Sequence, residues 1–219
     1  VELELISFKL CPFVQRSVIT LEYQAMPYRM TFIDLDNPPE WFADVSPFEK
    51  VPVLRVDGRT NIFESAVICE YIDEITPTRL QPDDPLQRAR NRAWTEVGSA
   101  LLVDQFHLLG AEDAGAYKRA RAPLIHKLEL LEEEVAGPFF NGDEPALIDF
   151  SIAPLFMRLD LLGKRRPVFD PTEVPRVARW SRALLEIDAV QRSVVPEFAE
   201  LFRAMVRKRS PYVAELHGL

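Results

Sequence analysis

The chain has 219 residues, 47% hydrophobic and 27% charged, a globular mixture long enough to bury a sizeable core. Asp and Glu number 34 against 26 Lys and Arg, and the net charge of -8 argues against a phosphate-binding surface and hence against direct nucleic-acid binding. No apolar run reaches the ~18 residues of a bilayer span and no signal core follows a basic amino terminus, so a cytoplasmic protein without membrane contact is expected; two cysteines and three histidines without ligand spacing predict neither a disulfide scaffold nor a metal.

In chain order, Leu3 to Phe8 reads as a strand, and Val14, Val18, Leu21 and Ala25 recur at helical spacing after it. Tyr28 to Ile33 alternates as a second strand, and Glu40 to Val45 is a short helix candidate in a proline-containing stretch. Val53 to Val56 and Thr60 to Ile62 flank Asp57-Gly58, a strong hairpin signal because the turn requires positive φ. A helix over Glu64 to Ile75 follows, with Val67, Ile68, Tyr71, Ile72 and Ile75 on one face. The order strand-helix-strand, then strand-strand-helix, predicts a compact α/β unit over 1-76.

Pro77, Pro82 and Pro85 punctuate residues 77-84, which read as a linker, and 85-219 read as an all-helical domain. Pro85 suits a first helical turn, and Leu86, Ala89, Ala93, Val97, Ala100, Leu101 and Leu108 form a long stripe behind it. Further helices are predicted over roughly 116-136, 147-163, 174-187 and 196-208. The charge run Arg203 to Arg209 reads as a solvated helix face.

Cys11 follows the first strand and immediately precedes Pro12, which places its sulfur at a helix amino terminus. Unpaired N–H groups and the macrodipole there favour a thiolate, against the plainer alternative of a buried apolar cysteine. Val14 stands where a dithiol motif would carry its second cysteine, so exchange at Cys11 needs an external thiol. Cys69, beside Ile68 on an apolar face, is assigned to packing. Val51-Pro52 just before a strand reads either as an ordinary trans edge proline or as a turn that leaves backbone polar groups open to a ligand. Glu64-Ser65 likewise reads either as a helix cap without a ligand or as a site for an α-amino acid end, Ser65 meeting its carboxylate and Glu64 its ammonium.

Taken together, Cys11-Pro12-Phe13, Lys50-Val51-Pro52-Val53-Leu54, Glu64-Ser65 with Glu70-Tyr71-Ile72, Leu147-Ile148-Asp149-Phe150 and Ala153-Pro154 resemble the glutathione transferase superfamily, in its cysteine-type, omega-like classes. The resemblance covers nearly the whole chain. It implies a thioredoxin-like domain followed by a helical domain, a cis Val51-Pro52 bond, and glutathione as co-substrate. Val51 would pair with the cysteinyl amide, Glu64 and Ser65 would hold the γ-glutamyl end, and Phe13 and Lys50 would border the tripeptide, Lys50 near its glycyl carboxylate. Pro52 and Asp149 would be structural, Cys11 would form the mixed disulfide, and a homodimer is expected.

The second-substrate pocket is expected between the domains, near Trp94. Where the superfamily places a Ser or Thr cap three residues before Asp149, this chain has Ala146, a loss of ~1 kcal/mol. Two other activities fit parts of the pattern. Asp36-Asn37-Pro38-Pro39, the Glu64-Ser65 context and Asp149 to Leu162 also look like stringent starvation protein A, a non-catalytic regulator that binds RNA polymerase. Glutathione conjugation or reductive dehalogenation of aromatic electrophiles ranks below thiol exchange on small disulfides, dehydroascorbate or glutathionyl adducts.

Overall fold

The computed structural model describes residues 1-163 and 165-219. A four-stranded mixed sheet has the order β2-β1-β3-β4. Strand β1 (Leu3–Ser7) is central and buried along its whole length, polar Glu4 and Ser7 included. Helix α1 (Pro12–Tyr23) is the crossover that allows β2 (Arg29–Phe32) to lie parallel to β1. After the short helix α2 (Phe42–Val45), β3 (Val53–Val56) returns antiparallel to β1 and pairs with β4 (Thr60–Phe63). Asp57 and Gly58 between them both have positive φ, 50° and 67°, as the hairpin turn demands.

Helix α3 (Ser65–Ile75) completes this thioredoxin-like unit. Asp73 at its end accepts the backbone N–H of Leu80 at 2.6 Å and of Gln81 at 3.3 Å, strapping the proline-rich segment against α3. Asp84 then caps α4 (Pro85–Leu108) through the Gln87 N–H.

Around α4 stand α5 (Ala114–Glu134), α6 (Leu147–Gly163) and α7 (Pro175–Glu186), followed by α8 (Asp188–Arg192), α9 (Phe198–Arg209) and α10 (Pro211–His217). Strand-and-helix unit and helical domain share α1, whose residues Val14 to Leu21 are all buried and which packs on α3 as well as α6 and α8. Val18, Leu21, Leu54 and Ile68 fill the sheet side; Leu101, Phe150, Phe156 and Trp180 are in the core of the helical side. No helix among the described residues is long and apolar enough to cross a membrane.

Helices α8 and α10 are absent from the sequence-based prediction. At five and seven residues they are too short for hydrophobic periodicity to register. Arg207 and Lys208 on α9 are exposed as expected, while Arg209 also stacks on the Phe106 ring at 3.6 Å.

Candidate active site

Cys11 is the N-cap of α1, with extended backbone (φ -73°, ψ 119°) and Pro12 as the first helical residue. Its half-buried thiol faces the Val51 carbonyl, Sγ to O 3.8 Å, so the first helix and the turn before β3 meet at the sulfur. The backbone N–H groups of Phe13 and Val14, with the guanidiniums of Arg158 and Arg16, favour the anion. Burial is nonetheless the largest influence and pushes the Cys11 thiol up rather than down. Burial thus works against the expected thiolate, and the helix-terminus donors and nearby guanidiniums work for it. Cys69 is buried, its Sγ 3.9 Å from the Ser17 hydroxyl, and burial raises its thiol too.

The Val51-Pro52 bond is cis. The loop before it is fixed by a residue that the sequence did not single out: the buried Ser46 hydroxyl accepts from Lys50 N–H at 2.9 Å and donates to the Lys50 carbonyl at 2.8 Å. Lys50 is exposed, its backbone pinned and its ammonium free to reach outward. Phe13 is half-buried with the Arg16 guanidinium 5.2 Å from its ring centre.

Glu64 is the N-cap of α3 and holds φ 68°, ψ 112°, an unfavourable region for a residue with a Cβ. Glu64 makes no side-chain capping bond among the described residues, so its carboxylate is not consumed by the helix end. Ser65, the first helical residue, is buried beside exposed Glu64.

Asp149 serves a different centre. Its carboxylate is fully buried and accepts from Phe140 N–H at 2.9 Å, Ala146 N–H at 2.8 Å and the Trp180 indole N–H at 2.5 Å. Trp94, near which the second-substrate pocket is expected, packs on Phe140 at 6.1 Å, in the aromatic group around Trp180.

A cavity of ≈ 160 Å³ opens beside Cys11, and Gln15, Tyr28, Phe32, Arg158 and Ser193 are among the residues that line it. Arg158 is buried and has no carboxylate partner among the described residues; burial pulls its pKa down to about 10. Its guanidinium donates to Gln15 Oε1, to the Pro154 carbonyl at 2.8 Å and to the Leu10 carbonyl at 2.9 Å, and lies 4.9 Å from the Phe198 ring centre. Gln15 donates in turn to Ser193 Oγ at 2.9 Å. A lone Arg in the apolar run Leu147 to Gly163 was the available sequence signal for this cation. Lys9 and Glu197 form an exposed ion pair of 2.8 Å at the same side of the molecule. Among the described residues no cluster of His, Cys, Asp or Glu has the makings of a metal site.

A thioredoxin-like unit with a cysteine at its first helix start, a cis proline opposite, and an all-helical domain behind is the architecture of a glutathione transferase. The glutathione S-transferase N-terminal domain model matches residues 10–75 and the C-terminal domain model residues 114–183. Glutathione S-transferase omega-1 of Sus scrofa is 30% identical over 218 residues, covering 97% of this chain and 89% of the relative. Glutathione transferase Omega 3C of Trametes versicolor superposes with a TM-score of 0.78 at 26% identity, over 87% of this chain and 88% of that one. A rice glutathione transferase solved in complex with glutathione gives 0.82 at 27% identity, over 95% and 99%. The chain belongs to the glutathione S-transferase family. Within it the likeness is to the omega type, and the protein is a glutathione transferase.

Proposed function

We propose that the protein is a glutathione-dependent thiol transferase that works by mixed-disulfide exchange at Cys11, on small disulfides, dehydroascorbate or glutathionyl adducts. The observation that carries this reading is the Cys11 sulfur at the start of α1, open to a cavity and 3.8 Å from the carbonyl beside the cis Val51-Pro52 bond. In this reading glutathione lies along that turn with its cysteinyl amide paired to Val51. Its γ-glutamyl carboxylate meets the Ser65 hydroxyl and the α3 N-terminus, its ammonium meets Glu64, and Lys50 and Phe13 border the glycyl end.

In the first step the Cys11 thiol gives up its proton, and the resulting thiolate attacks the glutathionyl sulfur of a mixed disulfide R–S–SG. The Cys11–SG bond forms, the R–S bond breaks, and RS⁻ leaves and takes a proton. A second glutathione, as thiolate, then attacks the glutathionyl sulfur, releasing Cys11 as thiolate and oxidised glutathione. The net change is R–S–SG + GSH → RSH + GSSG: the R sulfur is reduced to a thiol, the incoming glutathione is oxidised into the new disulfide, and its proton ends on RSH. Arg158 and the Phe13 and Val14 N–H groups stabilise Cys11 each time it leaves as an anion, which is where their influence on the thiol enters the rate. The acceptor enters by the cavity bounded by Gln15, Arg158 and Ser193. A cytoplasmic homodimer completes the reading.

Turnover of a glutathionylated small thiol, measured for the native chain and for Cys11→Ser, tests this directly. A loss of ~10³-fold or more is expected, since Ser can open no disulfide. Equal turnover in the variant rejects Cys11 as the nucleophile.

A further inference from the structure

Between Arg158 and the wall of the Cys11 cavity stands one polar side chain of α1, Gln15, and the direction of every proton around it is fixed. A guanidinium can only donate, so the Gln15 atom that faces Nη1 of Arg158 at 2.5 Å is the amide oxygen. The amide nitrogen therefore points the other way, and it donates to Ser193 Oγ at 2.9 Å. Ser193 gives its own proton to the Val190 carbonyl at 2.6 Å, which leaves its oxygen to accept. A one-way chain thus runs from α6 through α1 to the end of α8, and Arg158, Gln15 and Ser193 all line the cavity beside Cys11. Gln15 and Arg158 are each only 3% exposed, so bulk water replaces neither partner.

A buried cation is ordinarily matched by a carboxylate, which would accept from Arg158 more strongly than an amide does. Here the partner is neutral. The charged groups that face the sulfur and its cavity are Arg16 from α1, Lys9 from the loop before it, Arg158 from α6 and Arg192 from α8. Lys9 pairs with Glu197 at 2.8 Å and Arg192 with Glu22 at 3.5 Å, both at the surface, while Arg16 donates to Ser99 and the Ser151 carbonyl. No carboxylate lines the cavity among the described residues. A negative charge at position 15 would lie against the guanidinium and cancel most of its field at the sulfur, and it would have no proton for Ser193.

We propose that Gln15 is a positioning residue of the thiol-exchange site, whose neutral carboxamide holds the Arg158 guanidinium beside the Cys11 cavity without cancelling its charge and ties that cation to the cavity wall at Ser193. Its part in turnover rests on the thiol-exchange reading; its effect on the sulfur does not.

The test is the rate of Cys11 alkylation by iodoacetamide as a function of pH, in a Cys69→Ser background, for Gln15→Glu, Gln15→Met and Arg158→Met. At neutral pH Gln15→Glu is expected to slow alkylation ~10-fold, with the inflection moved further alkaline, because the cation is neutralised where it stands. Gln15→Met keeps the length, removes both hydrogen bonds and adds no charge. The Pro154 and Leu10 carbonyls still hold the guanidinium, so this variant slows by ~3-fold or less. A merely structural role predicts the reverse order, since Glu keeps the bond to Arg158 and Met keeps neither bond. Gln15→Met as slow as Gln15→Glu, or slower, would overturn the proposal, as would a native rate in Gln15→Glu. Should Gln15→Glu fail to fold, Gln15→Met against Arg158→Met decides the point: the first stays near the native rate while the second slows, and equal slowing overturns the assignment. Thiol-transfer turnover is expected to follow the alkylation order. Turnover that ignores an order the alkylation keeps rejects the exchange reading and leaves the assignment of Gln15 standing.

Discussion

Asp149 receives three hydrogen bonds in a fully buried setting and has no cation beside it, so burial raises its carboxyl from the ordinary 3.8 to about 6. A carboxyl raised on folding contributes stability that is complete below its unfolded pKa and is lost as pH rises through the folded one. Across the window from 3.8 to about 6, the native chain should therefore lose up to ~3 kcal/mol at this residue as pH increases, at 1.36 kcal/mol per unit. Asp149→Asn removes the titration and also costs ~1–3 kcal/mol by mispairing a donor. Urea midpoints measured at several pH values should show the gap between native and variant widest on the acid side and narrowing towards neutrality. Parallel curves would show that the carboxyl does not titrate in that window.

At Cys11 the same balance of burial against donors gives the opposite lesson for reactivity. Alkylation by iodoacetamide, in a Cys69→Ser background, should inflect on the alkaline side of a free cysteine, and Arg158→Met should move it further alkaline by removing the leading cation. An inflection on the acid side would show that the helix-start donors win after all. Cys11, Val51-Pro52 and Glu64-Ser65 could be read in the sequence because each is punctuation, a cysteine or carboxylate at a helix start and a proline at a strand start. Arg158 left only the signal of a lone Arg in an apolar helix, and its grouping with Gln15 and Ser193 left none, because Gln15 lies 143 residues from Arg158 and 178 from Ser193. The desolvation that governs Cys11 is likewise a property of the assembled cavity.

Helix α6 begins with half of a reciprocal cap. Asp149 reaches back to the Ala146 N–H, but Ala146 has no hydroxyl to return the bond to the first turn. Ala146→Ser should stabilise the protein by ~1 kcal/mol, seen as a rise in melting temperature of ~2–4 °C. No rise would mean that the buried position cannot seat the hydroxyl.

The seam between α4 and α6 is equally specific. A Cβ on Gly98 would lie 2.8 Å from Cγ1 of Ile152, so Gly98→Ala should cost ~1–3 kcal/mol despite better helix propensity. Ile152→Ala in the same chain should recover much of that loss, and additive effects would exclude the contact as its cause. The periodicity that revealed α4, α6 and α7 came from their apolar faces, whereas such a close approach leaves no trace beyond a glycine in a helical stripe. Helix α10 did carry a legible start, Ser210 before Pro211, with the hydroxyl accepting from Val213 N–H at 3.0 Å. Its seven residues gave no period to accompany that signal.

At the scale of the molecule, two buried arginines fasten the sheet unit to the helical domain. Arg16 on α1 donates to Ser99 Oγ at 3.0 Å and to the Ser151 carbonyl at 3.2 Å, and Arg158 on α6 reaches back to Leu10 and Gln15. Among the described residues neither forms an ion pair with a carboxylate, and removing either leaves buried acceptors unpaired. Such a seam predicts one cooperative unfolding transition. Fluorescence of Trp180, buried in the helical domain, and far-UV ellipticity of the whole chain should be lost at the same urea concentration. Separate midpoints would mean that the two halves fold independently.

Eight successive residues of α1, Val14 to Leu21, are buried between the two halves, one turn behind the reactive sulfur. Deuterium should reach the Ser17 to Leu21 amides only through global opening, making them among the last in the protein to exchange. If exchange runs at Cys11 as proposed, the nucleophile is mounted on a fixed post, and in every cycle it is the visiting disulfide that must travel.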